Sequence, residues 1–256
     1  MKSITGYVHG KINLTLDVHS KQPSEPFHPI RSILHKIKLA DEIEISEHSR
    51  FSIEGDFDCP DEENLIWKAF QLLQSEYSTS LPPVRVQVKK NIPPRSGLGG
   101  GSADFACFVQ LYHELFELGP ITPKFIQKSA DIGKDIPFFF EQKNCSLVEH
   151  FGEIVTPLPF DFSGEKVFLF FPPFTQSTAE AYSALMQHDT SFTEHFLREP
   201  SLERCDNSFD IFFNQKQYKN ISDDFTDTHI TGSGSAFFSF EEKNFPMCKK
   251  ITTRLL

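Results

Sequence analysis

Tryptophan occurs once and methionine three times in the 256 residues, and cysteine five times, at 59, 107, 145, 205 and 248. No two cysteines stand in a C-x-x-C spacing, which excludes the common zinc and thiol-redox motifs. An odd number of scattered thiols points to a reducing compartment, so a cytoplasmic location is expected. Positive charge is scarce. Lys and Arg number 25 against 35 Asp and Glu, and the net charge of -10 argues against nucleic acid or an anionic membrane as a partner. Apolar runs are short, and none approaches membrane-spanning length. The first residues, with Lys2, Lys11 and Asp17 among short apolar pieces, have no signal-peptide core. Internal repeats and low-complexity tracts are absent.

What the chain has in excess is phenylalanine, 28 residues, read as core filling. Its most distinctive stretch is Pro93-Pro94-Arg95-Ser96-Gly97-Leu98-Gly99-Gly100-Gly101-Ser102-Ala103-Asp104. Glycine tolerates positive φ and lets a ligand approach its backbone. N–H groups of such a loop, with the free N–H groups of a following helix, cradle anions. Ser102 is expected to cap that helix, with Phe105, Phe108, Val109, Tyr112, Leu115 and Phe116 as its apolar stripe and Gly119-Pro120 as its stop. The loop is not a Walker A motif, because no Gly-Lys-Ser/Thr follows, and it does not fit G-x-G-x-x-G.

Around this loop the pattern alternates between strands and helices. Lys11 to Val18 alternates with a period of two, which predicts a half-buried strand with Lys11, Asn13, Thr15 and Asp17 on a polar face. A proline-rich loop over 20–29 presents Phe27-His28. Short strands are expected at 41–46 and 51–54, a helix capped by Asp61 to about Tyr77, a strand at 84–88, and a helix at about 122–130. Strands follow at 145–149, 153–157 and 167–171, and a capping box at Ser177-Thr178-Ala179-Glu180 starts a helix. Residues 188–225 read as helical in pieces. Residues 229–240 read as strand, turn, strand around Gly232-Ser233-Gly234-Ser235, and the chain is expected to end in an amphipathic helix from about 245. The length suits two modest domains or one large one, and the proline-containing stretch 157–165 is the expected junction.

A phosphate loop, a basic strand residue at Lys11 and a carboxylate at Asp135 two residues after Gly133 are the parts that phosphoryl transfer needs: a cradle, charge neutralisation and an oriented hydroxyl. An Asp–Lys combination also occurs for purely structural reasons. Taken together, Lys11-Ile12-Asn13-Leu14, Pro93 to Ala103, Gly133-Lys134-Asp135-Ile136-Pro137-Phe138 and Thr231-Gly232-Ser233-Gly234 resemble the GHMP small-molecule kinases. Phe27-His28, Glu63-Asn64-Leu65-Ile66 and Gly152-Glu153-Ile154 resemble those members that phosphorylate a cytidine diphosphate-linked methylerythritol on the non-mevalonate route to isoprenoid precursors.

The resemblance implies an α+β fold. A domain like ribosomal protein S5 domain 2 would span residues 1–157, binding ATP and carrying the catalysis, and a ferredoxin-like domain would span 158–256. It implies ATP with Mg²⁺ as cofactors, no metal ligand from the protein, a small-molecule partner, and a monomer or homodimer. Position by position, it implies Lys11 and Asp135 as the catalytic pair. Asn64, Pro93, Ser96, Gly97, Leu98, Gly99, Gly100, Gly101 and Ser102 would hold the nucleotide, and Asn13, Phe27, His28, Gly232 and Ser233 the acceptor. Gly10 and Lys134 stand where the family usually has alanine, and Pro26 where it has glycine. Two other readings fit the same motifs: a mevalonate-type or sugar kinase of the superfamily, and a non-catalytic nucleotide-binding homologue.

Overall fold

The computed structural model describes residues 2–77, 80–185 and 190–256. Its first two strands, β1 (Ser3–Val18) and β2 (Ile30–Glu47), are about two and three times as long as the sequence pattern predicts. From Lys11 on, β1 is also not half-buried. Ile12, Leu14, Leu16 and Val18 are buried, and so are Lys11, Asn13, Thr15 and Asp17 on the other face. The expected solvated face is corrected by hydrogen bonding, since a buried polar group is tolerated when it is paired. The Thr15 hydroxyl accepts from the N–H of Ile33 (3.1 Å), and Asp17 accepts from the Thr190 hydroxyl (2.5 Å) and the N–H groups of Phe192 (2.9 Å) and Thr193 (2.8 Å).

The chain forms two compact units. The first comprises Met1–Gly10, Leu39–Pro94 and Gly99–Gln142. In its sheet, β3 (Ser52–Gly55) lies parallel to β4 (Val84–Lys89), and β4 lies antiparallel to the end of β2, with Glu42 opposite Lys89 and Glu47 opposite Val84. Its helices are α1 (Leu65–Glu76), α2 (Gly100–Leu115), α3 (Pro123–Ser129) and α4 (Ile136–Phe140). α1 and α4 both pack on α2. Ile66, Ala69, Phe70 and Leu73, at helical spacing, form the buried face of α1. Phe51 stacks on Phe70 with ring centroids 4.2 Å apart, and Phe108 and Tyr112 close the cluster.

Two helix starts differ from expectation. Asp61 does not cap α1: residues Asp61–Glu63 form a 3₁₀ turn, and Asn64 is the cap, its side chain accepting from the N–H of Ile66. Ser102 does not cap α2: Gly99, at φ 74°, does, and Ser102 sits in the first turn. Only a residue free of a Cβ takes that left-handed geometry without strain, so the helix begins earlier than the serine signal suggests.

The second unit comprises Lys11–Lys38, Arg95–Leu98 and Lys143–Leu256. β5 (Cys145–His150) pairs antiparallel with the start of β2, and β6 (Ile154–Pro157) pairs with β5. After β7 (Lys166–Phe171) come α5 (Thr178–Ala184), α6 (Phe192–Arg198), β8 (Asp206–Asn207) and α7 (Lys216–Lys219). Ser177 caps α5 as expected. Asp17, through Phe192 and Thr193, closes the start of α6. β8 pairs parallel with β1, Thr15 opposite Asp206. Of the stretch expected to be helical in pieces, residues 188 and 189 lie outside the described residues.

The chain then adds β9 (His229–Ile230), β10 (Phe237–Ser239) and β11 (Lys249–Arg254), in the sheet order β11-β7-β10-β9. β11 overturns the expected final helix. Ile251, Thr252 and Thr253 are β-branched, and the segment finds a ready partner in β7, from Lys249 opposite Phe171 to Arg254 opposite Lys166. Phe168, Phe170, Phe209, Phe212, Phe237 and Phe245 fill the core of this unit. Among all the phenylalanines only Phe27 is exposed, at 53%, in line with the core-filling reading of the rest. Among the described residues, no helix is long and apolar enough to cross a membrane.

Candidate active site

The glycine loop ends in an open helix terminus. The first helical bond of α2 runs from the N–H of Ala103 to the carbonyl of Gly99 (2.9 Å). The N–H groups of Gly100, Gly101 and Ser102 therefore have no acceptor within the helix, and the partial positive charge of the helix end lies there. The turn leaves little room for side chains at its glycines. A Cβ on Gly100 would come 3.0 Å from Ile92, and one on Gly101 would come 3.3 Å from Leu65. Pro93 is partly buried and Ser96 buried just upstream.

The Asp135 turn lies beside this terminus. The Gly133 N–H donates to the carbonyl of Ser129, and a Cβ on Gly133 would be 3.5 Å from the hydroxyl oxygen of Ser102. Asp135 directly precedes α4, whose second residue is Pro137. The carboxylate is thus carried on a stiff turn. Asn64, expected in the nucleotide pocket, is buried, and its side-chain oxygen is used as the cap of α1; its neighbour Leu65 is the residue that faces Gly101. Within the first unit the structure brings together Gly99 to Ser102, Leu65 next to Asn64, and the turn that carries Asp135.

The second unit gathers another set around Asn13. Lys11 is only 2% exposed and donates through Nζ to Oδ1 of Asn13 (2.6 Å). The same oxygen accepts from the N–H of Gly232 (2.8 Å). Nδ2 of Asn13 donates to the Ser32 hydroxyl (2.9 Å), which donates onward to the carbonyl of Thr15 (2.5 Å). A Cβ on Gly232 would stand 3.6 Å from the Lys11 ammonium. Ser233 donates to the Thr178 hydroxyl (3.1 Å). Leu98 is fully buried, and its carbonyl accepts from the Lys11 N–H (2.9 Å). Gly97 has φ 78°, and a Cβ there would lie 2.0 Å from the carbonyl oxygen of Thr231. No side chain fits at that position.

Phe27 and His28 sit in their own loop. The ring of Phe27 meets that of Phe151 edge-on at 5.9 Å, and His28 lies 5.7 Å from the ring of Tyr182. Nδ1 of His28 is 3.0 Å from the carbonyl of His19. The short turn His150-Phe151-Gly152 is closed by Glu153, which pairs with His150 (2.5 Å) and accepts from the Phe151 N–H (3.0 Å).

Several residues that shape these sites carry no mark in the sequence. Asn207 donates to the carbonyls of Ile230 (2.5 Å) and Gly232 (3.0 Å) and so pins the second glycine turn. Asp210 accepts from His229 (2.9 Å) and from the N–H of Ile230 (2.7 Å) at the start of the same turn. Beneath the first loop, Lys90 bridges Asp41 and Asp104.

Residues 64–141 match the family described as GHMP kinases N terminal domain. A protein of Bacteroides fragilis (strain YCH46) named 4-diphosphocytidyl-2-C-methyl-D-erythritol kinase is 32% identical over 204 residues, covering 75% of this chain and 70% of the relative. A protein of Azobacteroides pseudotrichonymphae with the same name is 30% identical over 254 residues, covering 93% and 94%. The crystal structure of a 4-(cytidine 5'-diphospho)-2C-methyl-D-erythritol kinase superposes with a TM-score of 0.74 over 98% of this chain and 99% of its own, at 22% identity, which establishes the α+β fold. By identity sustained along nearly its whole length, the chain belongs to the 4-diphosphocytidyl-2-C-methyl-D-erythritol kinase family of the GHMP kinases.

Proposed function

We propose that the protein transfers the γ-phosphoryl group of ATP, with Mg²⁺, to the 2-hydroxyl of 4-diphosphocytidyl-2-C-methyl-D-erythritol, a step toward isoprenoid precursors. The observation that carries this is the open start of α2. Three successive N–H groups without helical acceptors, on a turn built of glycines, suit the phosphates of a nucleotide. Mg²⁺ would travel with the nucleotide and offset phosphate charge during transfer.

In this reading Gly97 to Ser102 hold the phosphates, with Pro93, Ser96 and Asn64 shaping the nucleotide side. Asp135 accepts the proton of the acceptor hydroxyl as the hydroxyl oxygen bonds to phosphorus, the bond to the ADP oxygen breaks, and ADP leaves. Lys11, buried and fixed by Asn13, supplies positive charge for the transfer. Asn13, Gly232 and Ser233 line the acceptor side. Phe27, the exposed phenylalanine, stacks on the cytosine, and His28 bonds its polar edge. Incubation with γ-labelled ATP and 4-diphosphocytidyl-2-C-methyl-D-erythritol tests this. Label in the acceptor with release of ADP is the expected result. Transfer only to mevalonate or sugar alcohols, or ATP binding with no transfer, overturns it.

A further inference from the structure

Under the first glycine turn lies a charged cluster that the proposed reaction does not use. The Lys90 ammonium donates to Oδ2 of Asp41 (2.5 Å) and to Oδ2 of Asp104 (2.7 Å). Oδ1 of Asp41 accepts from the N–H groups of Asn91 (2.5 Å) and Ile92 (2.8 Å), so both Asp41 oxygens are engaged. Asp104 is different. It is 3% exposed, and its Oδ1 is buried with no hydrogen-bond partner.

Two buried carboxylates share one ammonium, which leaves a net negative charge when both are ionised. Like charges in a dry site favour a proton on one of them. The asymmetry of partners selects Asp104. Burial pushes its carboxyl up to about 7, against the pull of Lys90 and with the help of Asp41. Burial alone would lower Lys90, but Asp104 and Asp41 outweigh it and the ammonium is held charged. The other titratable groups around Asp104 add little. Cys107, one turn along α2, is pushed up to about 12 by burial and stays a thiol. α4 carries no titratable side chain. Lys68 and Glu76 of α1 do not act on Asp104.

The cluster is placed against the turn. The Lys90 nitrogen is 3.5 Å from where a Cβ of Gly100 would stand, and Asp104 lies one helical turn beyond Gly100 on the same face. An anion at the N–H groups of Gly100 to Ser102 therefore acts directly on this charge balance.

We propose that Asp104 is a proton-linked positioning residue for the nucleotide: phosphate binding at the start of α2 raises the proton occupancy of Asp104 from solvent and lowers the net charge of the cluster beneath. This rests on the nucleotide reading of the loop. Bound phosphates raise the affinity of Asp104 for its proton, so ATP binds most tightly where Asp104 is already protonated. Affinity falls as pH rises through about 7 and levels off once the bound form also loses the proton.

The test compares the parent with Asp104→Asn, which keeps the shape and removes the charge. ATP with Mg²⁺ is titrated calorimetrically near pH 7.5 in buffers of different ionisation enthalpy. The parent should take up more protons per ATP than the variant, by about half a proton for a carboxyl near 7 coupled by about one pKa unit; protonation of the nucleotide itself cancels in the difference. Between pH 6 and 9 the parent's Kd should rise about tenfold more than the variant's, as for about one pKa unit of coupling. A merely structural Asp104 would alter melting temperature but neither readout. Asp104→Ser serves as the neutral variant if the asparagine form does not fold. Equal proton uptake and parallel pH profiles overturn the linkage while leaving the nucleotide reading intact. Failure of the parent to bind ATP overturns both.

Discussion

The two glycine turns of this chain are alike in composition and opposite in use. The first, ending in Gly99-Gly100-Gly101, opens onto a 16-residue helix and leaves its N–H groups without helical acceptors. The second, Thr231 to Ser235, joins two short strands, and both of its glycines already have partners within the fold. The Gly232 N–H goes to Asn13, its carbonyl takes Asn207, and the Gly234 N–H returns to Thr231. Glycine content says only that a backbone bends or comes close. The element on the far side of the turn decides whether its donors are open to a ligand or consumed by the fold. An unpaired set of N–H groups invites an anion; a satisfied set holds a shape.

This contrast is sharpest at the residue beside the open turn. Asp135→Asn removes a charge and keeps the shape, so kcat should fall by about 10²–10⁴ while ATP affinity stays near parental. Steady-state kinetics with a binding titration checks this, and parental turnover removes Asp135 from the chemistry. Gly100→Val comes next. Its Cβ would already press on Ile92 at 3.0 Å and stand 3.5 Å from the Lys90 ammonium, so its branches would displace the turn that presents the N–H groups. ATP Kd should rise about 100-fold, the loss of about 3 kcal/mol. A variant that is folded by circular dichroism and binds ATP like the parent means the phosphates rest elsewhere.

Phe27→Ala tests the acceptor side, away from either turn. Base stacking on an aromatic ring contributes about 1–3 kcal/mol, so the acceptor KM should rise about tenfold with KM for ATP little changed. Equal changes in both constants would break the assignment. Smallest in its effect on activity is Asn207→Ala, at the closed turn. It leaves the carbonyls of Ile230 and Gly232 short of a donor, a cost of about 1–3 kcal/mol that a melting curve registers. ATP Kd should stay within about threefold, a change below 1 kcal/mol. A larger loss of ATP affinity than of stability would mean that the second turn also serves the nucleotide.

Much of the candidate site is legible in the sequence because its parts are local. The glycine run of 97–101, the Gly133–Asp135 turn and the strand residues Lys11 and Asn13 each sit in a short motif whose chemistry is set by neighbours in sequence. The elements that were misread failed for nonlocal reasons. The last strand has residues that a helix would also accept, and it is a strand because β7 offers it hydrogen bonds. The polar face of β1 looked solvated, since alternation cannot tell water from a buried partner such as Thr193 or Ser32.

By itself, then, the order of residues determined where the backbone must bend, which segments alternate and which side chains could take part in phosphoryl transfer, because φ preference, side-chain period and functional groups are properties of a residue and its near neighbours. Only the tertiary structure decided which donors remain free. Asn13 meets Gly232 across 219 positions, and Asp41 meets Lys90 across 49. Satisfaction of a buried polar group is settled by what packs against it, and no local pattern encodes that.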